Sequence, residues 1–156
     1  MLNVVLVHPE IPPNTGNVGR LCLATGSRLH LIRPLGFSID AKQVRRAGLD
    51  YWQHVDLRLW DSFEELEAAA RNDCDGAPRF LLLSKKAQKP YWDERFRDGD
   101  YLVFGRETKG LSEELLDRYA GSCLKIPMVE GSTRSINLAS SVSAVLFEAV
   151  RQLSTG

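Results

Sequence analysis

Residues 101–112 read Tyr101-Leu102-Val103-Phe104-Gly105-Arg106-Glu107-Thr108-Lys109-Gly110-Leu111-Ser112. Four apolar residues in a row suit a strand buried on both faces. A polar loop bounded by two glycines follows, and Ser112 can then cap a helix over Glu113–Tyr119. Strand, glycine loop and helix form the repeating unit of an open α/β sheet, and such sheets bind ligands where strands end and helices begin. The same transition recurs twice. Asn14-Thr15-Gly16-Asn17-Val18-Gly19-Arg20 follows the apolar run Leu2–Val7. Ile126-Pro127-Met128 and then Ser132-Thr133-Arg134-Ser135-Ile136-Asn137-Leu138 lead from the short run Cys123–Ile126 into a last helix over 135–153. Three separated loops, all rich in Gly, Asn, Ser or Arg, point to one composite site.

The rest of the chain continues the alternation. Ile11-Pro12-Pro13 reads as a rigid non-helical loop, so Asn14 is expected to cap a helix that Gly26 stops after Thr25. Leu29–Ile32 is a second strand. Asp40 can cap a short helix through Ala47, ended by Gly48. Val55–Trp60 alternates apolar and polar residues, as a less buried strand does. Ser62 and Glu65 have capping-box spacing for a helix reaching Asn72. Phe80–Leu83 is a further core strand. The expected fold is therefore α/β: an open, mainly parallel sheet with helices on both faces, in a single domain over residues 1–156. In the last helix, Leu138, Val142, Val145, Leu146, Ala149 and Leu153 fall on one stripe, while Ile136, Ala144, Phe147 and Val150 cover another side. So wide an apolar face predicts burial against a partner chain, hence a homodimer through this helix, with a deeply packed core helix as the alternative.

Twenty basic residues balance twenty acidic ones, so any nucleic-acid contact must come from local positive charge rather than the whole surface. Cys22, Cys74 and Cys123 lie far apart with no zinc-ligand spacing; they read as reduced thiols of a cytoplasmic protein, two of them in the core. No run approaches the ~18 apolar residues of a membrane span, and no metal site is expected.

Gly105-x-x-x-x-Gly110 resembles a phosphate-binding loop, but Leu111 stands where that loop needs its lysine, which argues against an NTPase. No GxGxxG follows the first strand. Glycines without a phosphate signature suit a ligand read by backbone groups, such as an adenosine without phosphates. His30 sits inside a strand and reads as structural, and no GxSxG elbow or Ser/His/Asp pattern appears. Lys42, Arg45 and Arg46 precede Tyr51 and Trp52, while Lys85, Lys86 and Lys89 precede Tyr91 and Trp92. Basic groups beside aromatics can hold a phosphate backbone and stack on unpaired bases, although a solvated surface gives the same pattern. Arg20 and Arg134 lie at the edge of the composite site. A guanidinium there can bind phosphate or favour ionisation of a neighbouring hydroxyl.

NTGNVGR, LVFGRETKGLS and IPM…RSINLASSVSAV together resemble the three motifs of the SPOUT class of RNA methyltransferases, over almost the whole chain. LNVVLVHPEIPPNTGN and RRAGLDYW resemble the subgroup without an added RNA-binding domain, which methylates the ribose 2′-oxygen of the wobble cytidine or uridine of tRNA. The resemblance implies a C-terminal deep trefoil knot and S-adenosyl-L-methionine as cofactor. It implies tRNA, through its anticodon stem-loop, as partner. Arg20 and Asn14 match the catalytic positions. Leu83, Gly105, Glu107, Ile126, Met128, Ser135 and Asn137 match cofactor-binding positions, and Lys42, Arg45, Arg46 and Arg134 match RNA-binding ones. Gly19 and Arg106 stand at positions that vary in the subgroup, and Phe147 stands where some members have Tyr. Another tRNA or ribosomal RNA position, or a non-catalytic RNA-binding protein of the same fold, are the alternatives.

Overall fold

In the computed structural model, residues 1–155 are described apart from 41, 43, 45, 47, 48, 74 and 134. Seven strands form one sheet: β1 Asn3–Val7, β2 Arg28–Ile32, β3 Leu57–Trp60, β4 Phe80–Leu83, β5 Lys89–Pro90, β6 Tyr101–Phe104 and β7 Cys123–Lys125. Their order is β3-β2-β1-β6-β4-β7-β5, and every pairing between them is parallel. The helices are α1 Pro12–Thr25, α2 Phe63–Asp73, α3 Glu113–Arg118 and α4 Leu138–Thr155. Of the short helix expected from Asp40 to Ala47, Lys42, Val44 and Arg46 are helical; the others of 41–48 lie outside the described residues, as does Cys74.

Side chains alternate along each central strand, so the continuous apolar runs feed two cores. On one face Val4 and Leu6, Leu29 and Leu31, Leu102 and Phe104 pack with Val18 and Cys22 of α1 and Val142, Val145 and Leu146 of α4. On the other, Val5 and Val7, Phe80 and Leu82, Val103 pack with Phe63 and Leu66 of α2 and Leu115 of α3. Each fully buried Leu or Val stabilises the fold by about 1.5–3 kcal/mol. Cys22 is fully buried, and burial pushes its thiol up to about 12; Cys123 is only half-buried.

Gly26 ends α1 as expected, at φ 65°, with its N–H bonded to Leu23 O. The start of α1 corrects the sequence reading: Pro12 and Pro13 are its first two residues, and Asn14 lies buried inside the first turn. Proline is tolerated there because the first N–H groups of a helix have no internal partner. Ser62 Oγ caps α2 by accepting from Glu65 N–H, but the Glu65 carboxylate reaches back to Asp61 N–H, one residue earlier than a capping box requires. The last helix starts at Leu138 rather than 135, because Asn137 Oδ1 accepts from Ala139 N–H at 2.8 Å and Ser140 N–H at 3.3 Å and so caps it.

His30 is structural. Trp60 Nε1–H donates to its Nδ1 at 3.0 Å, so its Nε2–H donates to Asn3 Oδ1 at 2.9 Å. Burial first, then Arg28, lowers its pKa to about 3. An unfolded histidine titrates near ~6.5, so this contribution is complete above that pH. It declines as pH falls toward the folded value, because only the unfolded chain takes up the proton. Between pH 6.5 and 4.5 wild type is expected to lose about 2–3 kcal/mol through this group. Urea unfolding at both pH values checks it: His30→Gln must show a shallower pH slope, and equal slopes would remove His30 as the cause.

Candidate active site

The chain runs outward from β1 through β2 to β3 on one side, then crosses to β4 on the other; β6 later fills the place between β1 and β4, and the chain leaves it for β7 beyond β4. Successive connections thus leave β1 and β6 in opposite directions, which opens a crevice at their carboxyl ends. A cavity of about 530 Å³ lies there, within the range of small-molecule sites. Its wall comes from four places: Ile11 and Asn14 after β1, Leu83 to Lys86 at the end of β4, the loop 105–111 after β6, and Ile126 and Met128 after β7. Ser135, Asn137, Leu138 and Ser141 at the start of α4 close it. All seven expected cofactor-binding residues line this one cavity, and so does Asn14.

The loop after β6 is pinched into a tight ring. Arg106 and Gly110 form an antiparallel bridge, with Gly110 N–H donating to Arg106 O at 2.9 Å. Gly110 adopts φ 65°, the left-handed conformation that favours glycine. Gly105 lies so close to the returning strand of the loop that a Cβ there would sit 2.2 Å from the Gly110 carbonyl carbon.

Polar side chains tie the three motif segments together. The Glu107 carboxylate accepts from Glu10 N–H at 2.9 Å, Ile11 N–H at 3.1 Å and Asn14 Nδ2 at 3.4 Å. Asn14 Oδ1 accepts from Asn137 Nδ2 at 2.9 Å. Asn137 in turn caps α4. Glu107 therefore supplies the cap that α1 lacks locally, since Ile11 at its N-cap has no side-chain acceptor. Glu10 returns the clasp: its carboxylate accepts from Thr108 Oγ1 at 2.8 Å and Thr108 N–H at 3.1 Å, and the Thr108 bonds hold its pKa below the usual carboxylate value. Glu107→Ala is expected to lower folding stability by about 2 kcal/mol, the loss of a helix cap and a charged acceptor together. Glu107→Gln, which keeps one acceptor oxygen, should lose less. Urea midpoints measure both, and an unchanged midpoint in Glu107→Ala would mean that the clasp does not seat α1.

Arg20 lies apart from the cavity. It is exposed on α1, its guanidinium carbon 6.0 Å from the centre of the Tyr51 ring. Lys42 and Arg46 are exposed as well, while Arg45 and Arg134 lie outside the described residues. In the second basic segment Lys86 pairs with Glu113 and Lys89 with Glu94, and Lys85 and Lys86 both line the cavity. Sequence reasoning missed Glu10 and the Tyr51 contact. The partners of both are distant in sequence, and only the placement of Glu10 just before a helix was available as a signal. Among the described residues no cluster of three His, Cys, Asp or Glu side chains could hold a metal ion, and no helix is long and apolar enough to cross a membrane.

Comparison with known proteins bears on this geometry. The chain is 49% identical over 156 residues to a tRNA (cytidine(34)-2′-O)-methyltransferase of Burkholderia pseudomallei, covering 97% of this chain and 96% of that protein. A solved structure described as "Structural insights into the 2-OH methylation of C/U34 on tRNA" superposes with a TM-score of 0.92 at 49% identity, covering 100% of this chain and 98% of that one. The SpoU methyltransferase AviRb of Streptomyces viridochromogenes, solved in complex with the cofactor AdoMet, superposes with a TM-score of 0.86 at 26% identity, covering 100% of this chain and 59% of that one. With the SpoU rRNA Methylase profile matching residues 1–147, the chain belongs to that family.

Proposed function

We propose that this protein transfers a methyl group from S-adenosyl-L-methionine to the ribose 2′-hydroxyl of the wobble nucleotide, cytidine or uridine 34, of tRNA. The observation that carries the reading is the convergence of Leu83, Gly105, Ile126, Met128, Ser135 and Asn137 on one cavity at the β1/β6 crevice. Its walls suit the cofactor. Leu83, Phe104, Leu111 and Ile126 give apolar surface for an adenine and a thioether chain, the bent backbone of 105–111 offers polar groups, and no phosphate-binding lysine follows Gly110. The relative that is half identical, named for this reaction, supports the substrate.

Bound there, the cofactor supplies an electrophilic methyl carbon. The protein's own task is to place the 2′-oxygen in line and to ease loss of its proton. Placement is worth up to ~7–11 kcal/mol. A fixed cation beside the oxygen favours its ionised form, and Arg20 serves as that cation. Asn14, with its amide oxygen on Asn137 and its amide nitrogen on Glu107, serves the reaction by holding the three segments in register. Lys42, Arg45, Arg46 and Arg134 hold the phosphates of the anticodon stem-loop, so tRNA affinity falls with salt, by close to one power of salt concentration per contact. The reaction takes place in the cytoplasm.

The family resemblance extends to a deep trefoil knot. β7 inserts between β4 and β5, and Ile126, Met128, Ser135 and Asn137, on either side of the segment that follows it, line the same cavity as the 105–111 loop. The working unit is a homodimer through α4. That helix buries Val142, Val145 and Leu146 within the chain but leaves Phe147 46% exposed and Leu153 38% exposed. A dimer also answers the position of Arg20, since α1 of one protomer can flank the cavity of its partner. Phe147→Asp is expected to shift the protein from dimer to monomer in sedimentation at micromolar concentration and to abolish methyl transfer; a wild type that is monomeric there refutes the dimer.

Transfer of labelled methyl to tRNA from a strain lacking this gene, with the modified nucleoside mapped by mass spectrometry, tests the function. Label is expected on the ribose of nucleotide 34. Label at another position discards the substrate and keeps the methyltransferase. Cofactor binding without label on any tRNA overturns the tRNA reading.

A further inference from the structure

The contact between Arg20 and Tyr51 has a physical consequence for the reaction, given the role assigned to Arg20 above. Among the described residues Arg20 has no carboxylate partner and no hydrogen bond; its guanidinium carbon lies 6.0 Å from the centre of the Tyr51 ring. Pairing with an Asp or Glu would fix a guanidinium but neutralise its field. An aromatic face attracts the cation through its quadrupole and leaves the net charge whole. For a group that must act on a developing oxyanion, the second arrangement is the useful one.

The fold also explains how the ring is brought there. Leu49–His54 forms a 3-10 helix beside α1. It docks through Trp52, whose indole lies against the α1 backbone at Gly19: a Cβ on Gly19 would sit 2.6 Å from Trp52 Cζ3 and 2.9 Å from Cε3. Trp52 packs against the α1/α4 core, and its carbonyl accepts from Val55 N–H. Gly19 and Trp52 thus form a seat that depends on the missing side chain. Tyr51, one residue earlier, is carried to Arg20, one residue after Gly19. Half of the Tyr51 surface stays exposed, so the residue adds little to the core and its placement calls for another account.

We propose that Tyr51 is a positioning residue for Arg20: its ring, seated by the Gly19–Trp52 contact, holds the guanidinium in place at full charge for the 2′-oxygen of the RNA. Loss of the ring frees a long exposed side chain to sample many rotamers, so the chemical step slows while RNA binding persists.

The test is a double-mutant cycle on the full-length protein with Arg20→Ala, Tyr51→Leu and the pair, together with Tyr51→Phe. Rates are read at saturating tRNA and cofactor across pH, and tRNA affinity is measured separately without cofactor. Tyr51→Leu is expected to lower kcat about threefold to tenfold, the scale of a cation–π contact with some rotamer freedom regained. Its tRNA Kd should stay within about twofold of wild type. The rise of its kcat with pH should be displaced to higher pH, since the 2′-oxygen is then less favoured as an anion. Tyr51→Phe should behave as wild type, and the pair should be no slower than Arg20→Ala alone. A normal kcat in Tyr51→Leu, with Arg20→Ala impaired, overturns the proposal by itself. So does a weakened tRNA Kd at unchanged kcat, which would make the ring a platform for an unpaired base, and so do additive effects in the pair. Arg20→Ala transferring at the wild-type rate would instead remove the role of Arg20, and the proposal with it. Melting temperatures guard against misfolding, and Tyr51→Gln, which likewise lacks a ring, repeats the comparison if Tyr51→Leu does not fold.

Discussion

Gly105→Ala is expected to weaken S-adenosyl-L-methionine binding by about a hundredfold while leaving the protein folded. A Cβ at Gly105 would lie 2.2 Å from the Gly110 carbonyl carbon, 2.3 Å from Leu111 N and 2.6 Å from Gly110 Cα. All three are backbone atoms, so no side-chain rotation relieves the overlap. The ring from Arg106 to Gly110 must open, and that ring is a wall of the cavity. The sheet need not share the cost, because Gly105 follows β6 rather than lying within it. Gly121→Ala is the control: a Cβ there meets nothing within 4 Å, and neither binding nor stability should change. Calorimetry gives the affinity. The cofactor-induced rise in melting temperature gives a second reading, because a ligand that binds only the native state stabilises it in proportion to the logarithm of its excess over Kd. Normal cofactor affinity in Gly105→Ala would mean that the ring after β6 is not part of the cofactor site.

The same loop marks where sequence was sufficient and where it was not. Phe80–Leu83 and Tyr101–Phe104 have the bounds their apolar runs give them, because a strand buried on both faces needs apolar side chains at every position. β5, of only Lys89 and Pro90, carries no such signal; a proline at a sheet edge needs no N–H to complete the ladder. The start of α1 was misplaced for a different reason. Its cap comes from Glu107, more than ninety positions along the chain, and no local pattern around Pro12 records that. The site follows the same division. Glycine, asparagine and serine at strand ends identified the three segments, since those residues are what a backbone-lined cleft requires. The clasp of Glu10 on Thr108 and the cation–π approach of Arg20 to Tyr51 join residues whose neighbours in sequence say nothing about each other. Sheet order has the same character. Each parallel crossover is right-handed by default, but the jump from β3 to β4 across β1 and β6 is set by packing of the whole chain.

Replacing Arg20 by Ala is expected to lower kcat by about 10²–10³ while raising the tRNA Kd only a fewfold, the scale found when one fixed donor to a developing oxyanion is removed. The split follows from differential binding. A neutral 2′-hydroxyl gains little from a nearby cation, whereas the oxygen gains more as its proton leaves, so the interaction grows toward the transition state. Among the described residues no carboxylate pairs with Arg20, and its guanidinium carbon lies 6.0 Å from the centre of the Tyr51 ring, a contact that would leave its charge whole. Arg20→Lys tests the nature of the effect. It keeps a positive charge but replaces a planar fork by a compact ammonium on a flexible stem, so it should recover part of the rate. Single-turnover rates at saturating tRNA and cofactor isolate the step, and tRNA binding is measured apart. If Arg20→Ala instead keeps its rate and loses tRNA affinity, with one fewer counterion released in the salt dependence, then Arg20 grips a phosphate. The proton of the 2′-hydroxyl would then have to leave without a protein cation beside it, and the rate would rest on placement alone.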